Sequence, residues 1–248
     1  SRLTSENPQQ RPTSVFEVFE IFERCGSRDI ALPRPPVRAP RLLERDELMQ
    51  RFEEILGDVA ARRSGARVIV VDGEQGCGKS RLLRELRWLA SSDLEVHEGS
   101  PVVGQPVFEL LERATGGASE SQSDVATIIA IKDALSEATC PLSLLVLDDV
   151  QRLDGRNLNA WKAFIRSVDP DTPVLVLCAG SPGLSDVEGP AIERFVVEPL
   201  SRAALEEWAF LWLGEGQLQV LHEKTSGIPS RVEAVLESLS RGERLDDE

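Results

Sequence analysis

A three-layer α/β fold, a parallel sheet between helices with a small C-terminal all-helical unit, is predicted by three observations. Short apolar runs without alternation at 68–71, 144–147 and 173–179 read as strands covered on both faces. Segments with apolar residues at helical spacing fall between them, as crossovers in a parallel sheet require. From Ser201 onward only helical periodicity remains.

The first strand, Val68-Ile69-Val70-Val71, runs into Gly73-Glu74-Gln75-Gly76-Cys77-Gly78-Lys79-Ser80, and a helix follows with Leu82, Leu83, Leu86 and Leu89 on one side. This is G-x-x-x-x-G-K-[ST] between a strand and a helix, the context that gives the motif its meaning. Polyphosphate is recognised by successive backbone N–H groups turned inward at a helix N-terminus, where unpaired donors and the dipole favour anions. Glycines at 73, 76 and 78 permit that backbone path. Lys79 supplies a point charge for the β- and γ-phosphates, and the Ser80 hydroxyl can ligate Mg²⁺. The fold class is therefore that of a P-loop NTPase, with ATP or ADP and Mg²⁺ as the expected ligands. Gly73 through Ser80, together with Arg81, form the expected nucleotide-binding stretch.

The run Leu144-Leu145-Val146-Leu147 ends in Asp148-Asp149, the arrangement known as Walker B. Two carboxylates at the end of a buried strand are costly unless they have work at the sheet's edge. Asp148 is placed to hold Mg²⁺ with Ser80, and Asp149 to polarise an attacking water, so Lys79 and Asp149 are the catalytic candidates.

In chain order, residues 1–40 are polar and proline-rich, an expected linker or arm, interrupted by the apolar stretch 15–22. Residues 41–200 are the expected core, with a helix over 42–56 and a strand over 94–97. Helices follow over 105–113 and 125–138, around a Gly/Ser-rich loop at 115–123. A helix over 158–168 and a last strand over 195–197 complete the core. Residues 201–248 read as a helical lid, with helices over 202–213 (capped by Ser201), 217–224 and 231–239. The linker-like start and the polar end RGERLDDE read as the limits of a fragment of a longer chain.

Composition excludes several classes. With a formal net charge of -14, a surface dominated by nucleic-acid binding is not expected, since Lys and Arg supply most of that affinity. No apolar run approaches the roughly 20 residues of a membrane-spanning helix, and there is no export-signal pattern, so a cytoplasmic protein without membrane contact is expected. The four cysteines show no C-x-x-C pairing and read as reduced thiols. Cys77, near Lys79 and a helix N-terminus, is the one whose pKa such a setting can lower; its plainer role is that of a small residue that fits.

With these residues in place, the chain resembles the AAA-related ATPase module of the STAND class, signal-transduction ATPases with numerous domains. GEQGCGKSRLLREL resembles that family's phosphate loop and helix, LLVLDDVQRLD its Walker B segment, and VVEPLSRAALEEW the strand and helix entering the lid. SGIPSRVEAVLESL resembles its Gly-x-Pro helix, which would bring Pro229 toward the base or ribose, and LLERDEL its Gly-Arg-Glu segment at the adenine side. Glu44 stands where that segment carries glycine, and no arginine lies between Ala179 and Arg194, where the family often places a γ-phosphate sensor. The resemblance implies a regulatory ATP switch with slow Mg-dependent hydrolysis in a larger signalling or transcription-regulatory protein. Other domains, protein partners and nucleotide-dependent self-association would then be its contacts. The alternative is a non-hydrolysing interaction module that keeps its nucleotide as structural glue.

Overall fold

The structure is a computed structural model that describes residues 37–39, 41–99, 106–114, 142–180, 184–210, 212, 213 and 215–242, with 101, 133, 135 and 245 as single positions. The arm up to 36, the apolar stretch 15–22, the loop 115–123, most of the expected helix 125–138 and positions 181–183 lie outside the described residues.

Five strands, β1 (Val68–Gly73), β2 (Glu95–Gly99), β3 (Ser143–Leu147), β4 (Val174–Ala179) and β5 (Ile192–Val197), form one sheet in the order β2-β3-β4-β1-β5. Every pairing is parallel, with Val68 of β1 beside Val176 on one side and Ile192 on the other. The described helices of the core are α1 (Asp46–Ala60), α2 (Lys79–Ala90), α3 (Pro106–Ala114) and α4 (Gly155–Ser167).

The unbroken apolar strands are explained by two separate cores. Val68 and Val70 face a cluster built with Val107 and Leu111 of α3 and Trp161 and Phe164 of α4. Ile69 and Val71 face the opposite cluster, with Phe52 and Ile55 of α1 and Leu82 and Leu86 of α2. Each residue of the apolar runs in β1, β3 and β4 thus finds an apolar layer whichever way it points, which is the expected three-layer fold. The last three helices, α5 (Arg202–Ala209), α6 (Glu215–Thr225) and α7 (Pro229–Ser240), enclose a third cluster around Leu205, Leu221, Val232 and Leu236. Ala39 and Leu43 pack into that cluster as well.

Element boundaries move where local chemistry dictates. α4 starts at Gly155, before the expected 158, because the Asp154 side chain caps it by accepting the Asn157 N–H at 2.8 Å. α7 starts at Pro229, whose missing N–H costs nothing in a first helical turn. α5 is capped by Ser201 as expected but stops at Ala209.

α1 begins only at Asp46, not at 42, because Glu44 takes the left-handed φ of +53°. That backbone costs a non-glycine residue roughly 1–2 kcal/mol. Its carboxylate accepts the Ser201 N–H at 2.8 Å and the Ser201 hydroxyl. Hydrogen bonds to a charged group contribute about 1.5–3 kcal/mol each, so even discounted for exposure they offset the strain. Burial pushes the Glu44 carboxyl up, but the two Ser201 hydrogen bonds and Arg45 outweigh it and hold the group below the usual range.

Candidate functional site

The loop between β1 and α2 is built as its sequence requires. Gly76 and Gly78 have φ of +87° and +97°, values open to glycine, and Gly78 forms the N-cap of α2, so the helix starts at Lys79 itself. The Lys79 ammonium donates to the Gly73 carbonyl at 2.8 Å and the Glu74 carbonyl at 3.0 Å. Three donors are available on that group, so one remains for a ligand while two hold the loop.

A cavity of about 600 Å³ opens on this loop at the C-terminal ends of the strands. Gly73, Glu74, Gln75, Gly76, Cys77, Gly78, Lys79, Ser80, Arg81, Asp149 and Pro229 all line it, which brings together every expected site residue except Asp148. Asp148 lines a smaller cleft of about 110 Å³ that Ser80 shares, also lined by Arg84, Arg87 and Glu98. Its Oδ1 accepts the Asp149 N–H at 2.8 Å. A hydroxyl and a carboxylate are hard oxygen donors, few in number, and suit Mg²⁺, which completes its shell with phosphate oxygens and water.

Asp149 sits in the left-handed region at φ +51° and opens a short 3₁₀ turn, Val150–Arg152. Its Oδ1 accepts from Gln151 Nε2 at 2.9 Å, and Arg152 lies 3.7 Å from Oδ2. Asp149 lines the cavity, with its carboxylate held by the Gln151 amide and the Arg152 guanidinium beside it.

For Cys77 the setting acts opposite to the effect a nearby cation and helix terminus can have. Burial pushes the thiol up and the Glu74 charge adds to it, with Lys79 and Arg45 offsetting only part. Cys77 is a small buried residue that packs the loop against the α1–α2 core.

Several lining residues escaped the sequence reading. Arg45, only 7% exposed, donates to the Glu44 carbonyl at 2.9 Å and to the Glu198 carbonyl. The expected site residue Arg81 donates to the Ala39 carbonyl at 2.9 Å, tying the phosphate-loop helix to the segment before α1. Trp208, Ser230, Glu233 and Gln151 complete the wall. The Ser230 N–H, in the first turn of α7, donates to the Gly76 carbonyl at 3.2 Å, and Arg231 lies 3.7 Å from Glu74. The C-terminal helices thus touch the phosphate loop directly.

Among the described residues the cavity's arginines are Arg41, Arg45 and Arg81. Arg194, the nearest arginine after β4 in sequence, spends its guanidinium on the carbonyls of Leu184, Ser185 and Val187 at 2.8–3.1 Å and does not line the cavity.

Fold and loop together define a P-loop nucleotide-binding ATPase domain. A family model described as an AAA domain matches residues 61–188, just over half of the chain, and the chain belongs to that family. No curated protein matches it. Among solved structures it resembles Cdc6p from Pyrobaculum aerophilum, at 17% identity and a TM-score of 0.55 over 85% of this chain and 63% of that one. The ORC2 protein of Aeropyrum pernix, solved as ADPNP–ADP complexes, aligns at 18% identity and TM-score 0.50, covering 83% and 65%. A STAND protein with a tetratricopeptide repeat sensor from Pyrococcus horikoshii aligns at 12% identity and TM-score 0.52, covering 83% of this chain and 31% of that one. The chain therefore spans less than two thirds of each of these proteins. Among the described residues, no helix is long and apolar enough to cross a membrane.

Proposed function

We propose that this AAA domain is a nucleotide-operated switch of the STAND kind, which binds ATP or ADP with Mg²⁺ between an α/β core (41–200) and a helical lid (201–248), with 1–40 as an arm, and hydrolyses ATP slowly. The observation that carries the reading is the contact of lid and loop: Ser230 N–H to Gly76 carbonyl, with Pro229 and Lys79 on one cavity. A ligand on the loop then meets both bodies and biases their orientation, which other domains of a longer chain, protein partners or a second copy can read.

In this reading Gly73–Ser80 present backbone N–H groups to the phosphates, with Lys79 as the point charge and Pro229 beside the base or ribose. Ser80 and Asp148 hold Mg²⁺, which when bound neutralises charge developing on the β- and γ-oxygens. Asp149 polarises the attacking water. Turnover is expected well below the enzyme median of about 10 per second. Asp149→Asn is expected to abolish phosphate release while leaving ATP affinity within about twofold, because the carboxylate acts on water and not on the bound nucleotide. Parallel loss of both in calorimetry and phosphate release would refute that assignment.

One observation favours a second reading, a non-hydrolysing module with nucleotide as glue. Arg41 already pairs with Glu207, while Arg45 and Arg81 already donate to carbonyls. A supplied arginine is worth about 10³–10⁵ in rate, so without one the site can stall. Phosphate release over hours, compared with Lys79→Ala, separates the two readings. Nucleotide identity after native purification and denaturation tests both.

A further inference from the structure

The described residues 37–39 and 41–44 are fastened to α5 at three points. Trp208 Nε1 donates to the Val37 carbonyl at 3.0 Å, Arg41 forms a bidentate pair with Glu207 at 2.8 and 2.9 Å, and the Glu44 carboxylate accepts the N–H and hydroxyl of Ser201. The attachments occur in opposite order on the two segments, so this strap runs antiparallel to α5. Ala39 and Leu43 complete the cluster inside α5–α7. Yet Ala39, Arg41, Leu42 and Leu43 also line the nucleotide cavity. A wall of the cavity that precedes the core in sequence is therefore fastened largely to the C-terminal helices, with Leu42 packed on the α1–α2 cluster.

The strap meets the core at Arg81, which donates to the Ala39 carbonyl, at Leu42, which packs against the α1–α2 cluster, and at Arg45, whose guanidinium joins the Glu44 and Glu198 carbonyls. Those two carbonyls mark the places where the chain passes between the core and the helices. Glu44 stands at this junction with φ +53°, and its carboxylate is taken up by Ser201, while its neighbours Leu43 and Arg45 line the cavity. Glycine would hold this backbone without strain. What glycine lacks is the carboxylate that ties the junction to the N-cap of α5.

We infer that Glu44 is a positioning residue: by holding the junction to Ser201 it sets where the strap wall stands against the phosphate loop, and thereby sets nucleotide affinity. The inference rests on the nucleotide reading above. Glu44 acts through Ser201 and its own backbone, without touching the ligand. Glycine at this position relieves backbone strain while it removes the tie, so stability and affinity respond differently. Glutamine keeps both hydrogen bonds, its carbonyl accepting the Ser201 N–H and its amide donating to the hydroxyl oxygen.

The test compares wild type, Glu44→Gly and Glu44→Gln by calorimetry with Mg-ADP and by hydrogen exchange without nucleotide. Glu44→Gly is expected to raise Kd about tenfold, the loss of a charge-assisted hydrogen bond converted to affinity. Exchange in the first turn of α5 should quicken while amides of β1–β4 keep their protection. Glu44→Gln should stay within about threefold of wild type, since its hydrogen bonds persist. Unchanged affinity with faster exchange would show that Glu44 only caps α5 and overturn the inference. Unchanged exchange would show that the tie does not form, and a Glu44→Gln as weak as Glu44→Gly would put charge in place of the tie; either overturns it. A folded wild type that binds no Mg-ADP fails the nucleotide reading itself, and the exchange arm then reports on the tie alone.

Discussion

Lys79→Ala is expected to weaken ATP affinity by one to two orders of magnitude, the loss of about 1.5–3 kcal/mol from a charged hydrogen bond made where water is scarce. The ammonium supports the site in two ways. One N–H remains for a phosphate, and the other two span the Gly73 and Glu74 carbonyls, so that alanine also frees the loop that must present its amides. Lys79 belongs to none of the three apolar clusters, so the fold should survive. The thermal midpoint without nucleotide should move little, while the upward shift that ATP gives wild type should vanish, since only a ligand that binds the native state stabilises it. Lys79→Arg keeps charge but not the compact ammonium geometry and should recover only part of the affinity. Wild-type affinity in Lys79→Ala by calorimetry would dismiss phosphate recognition by this loop.

What the sequence made legible was local. The strand before the loop, the loop and the strand before Asp148 all follow from short-range rules, an apolar run of strand length bounded by residues whose chemistry has one economical placement. Lys79 and Asp148 follow strands two places apart in the sheet, β1 and β3, and the parallel order with β4 between them brings both to the same edge. The residues that were missed act over long sequence distances. Arg45 bonds a carbonyl 153 positions away, and Glu44 caps a helix 157 positions away. No periodicity or motif encodes such partners; the one signal was Glu44 standing where the resembling segment carries glycine, a hint that the backbone there is left-handed. Trp208 could be read only as part of an apolar helix face with Leu205 and Ala209. It is that, and its indole also hydrogen-bonds the strap and lines the cavity. At Cys77 the plainer reading, a small residue that fits, holds: nearby charge is visible in sequence, whereas the burial that outweighs it is not.

Gly76→Ala should nearly disable the site without unfolding the chain. Gly76 holds φ +87°, and an added Cβ would stand 2.1 Å from Ser230 Oγ and 3.1 Å from Ile228 Cγ2. Two costs combine: left-handed backbone on a residue with a side chain, roughly 1–2 kcal/mol, and a clash with the first turn of α7. A turn of the Ser230 side chain moves Oγ aside but leaves Ser230 Cβ and Ile228 Cγ2 at 3.1 Å, so full relief has the loop turn its amide away from the phosphate path or α7 withdraw, which breaks the Ser230 N–H to Gly76 carbonyl bond. Either movement opens the cavity, so ATP affinity should fall at least tenfold, equivalent to about 1.4 kcal/mol. A loss of 1–2 kcal/mol in stability would lower the thermal midpoint by only about 2–8 °C in a chain this size. Combining Gly76→Ala with Ser230→Gly removes the closer obstacle and leaves the backbone strain. If the double variant regains affinity, the contact between loop and α7 is what the alanine disturbed; if it does not, the loop's own conformation decides. Gly57→Ala, on α1 with nothing within 4 Å of an added Cβ, is the control and should bind as wild type. Gly76→Ala binding as tightly as Gly57→Ala would show that nucleotide binding needs neither this backbone conformation nor the docked helix, and the lid-and-loop switch would be lost with it.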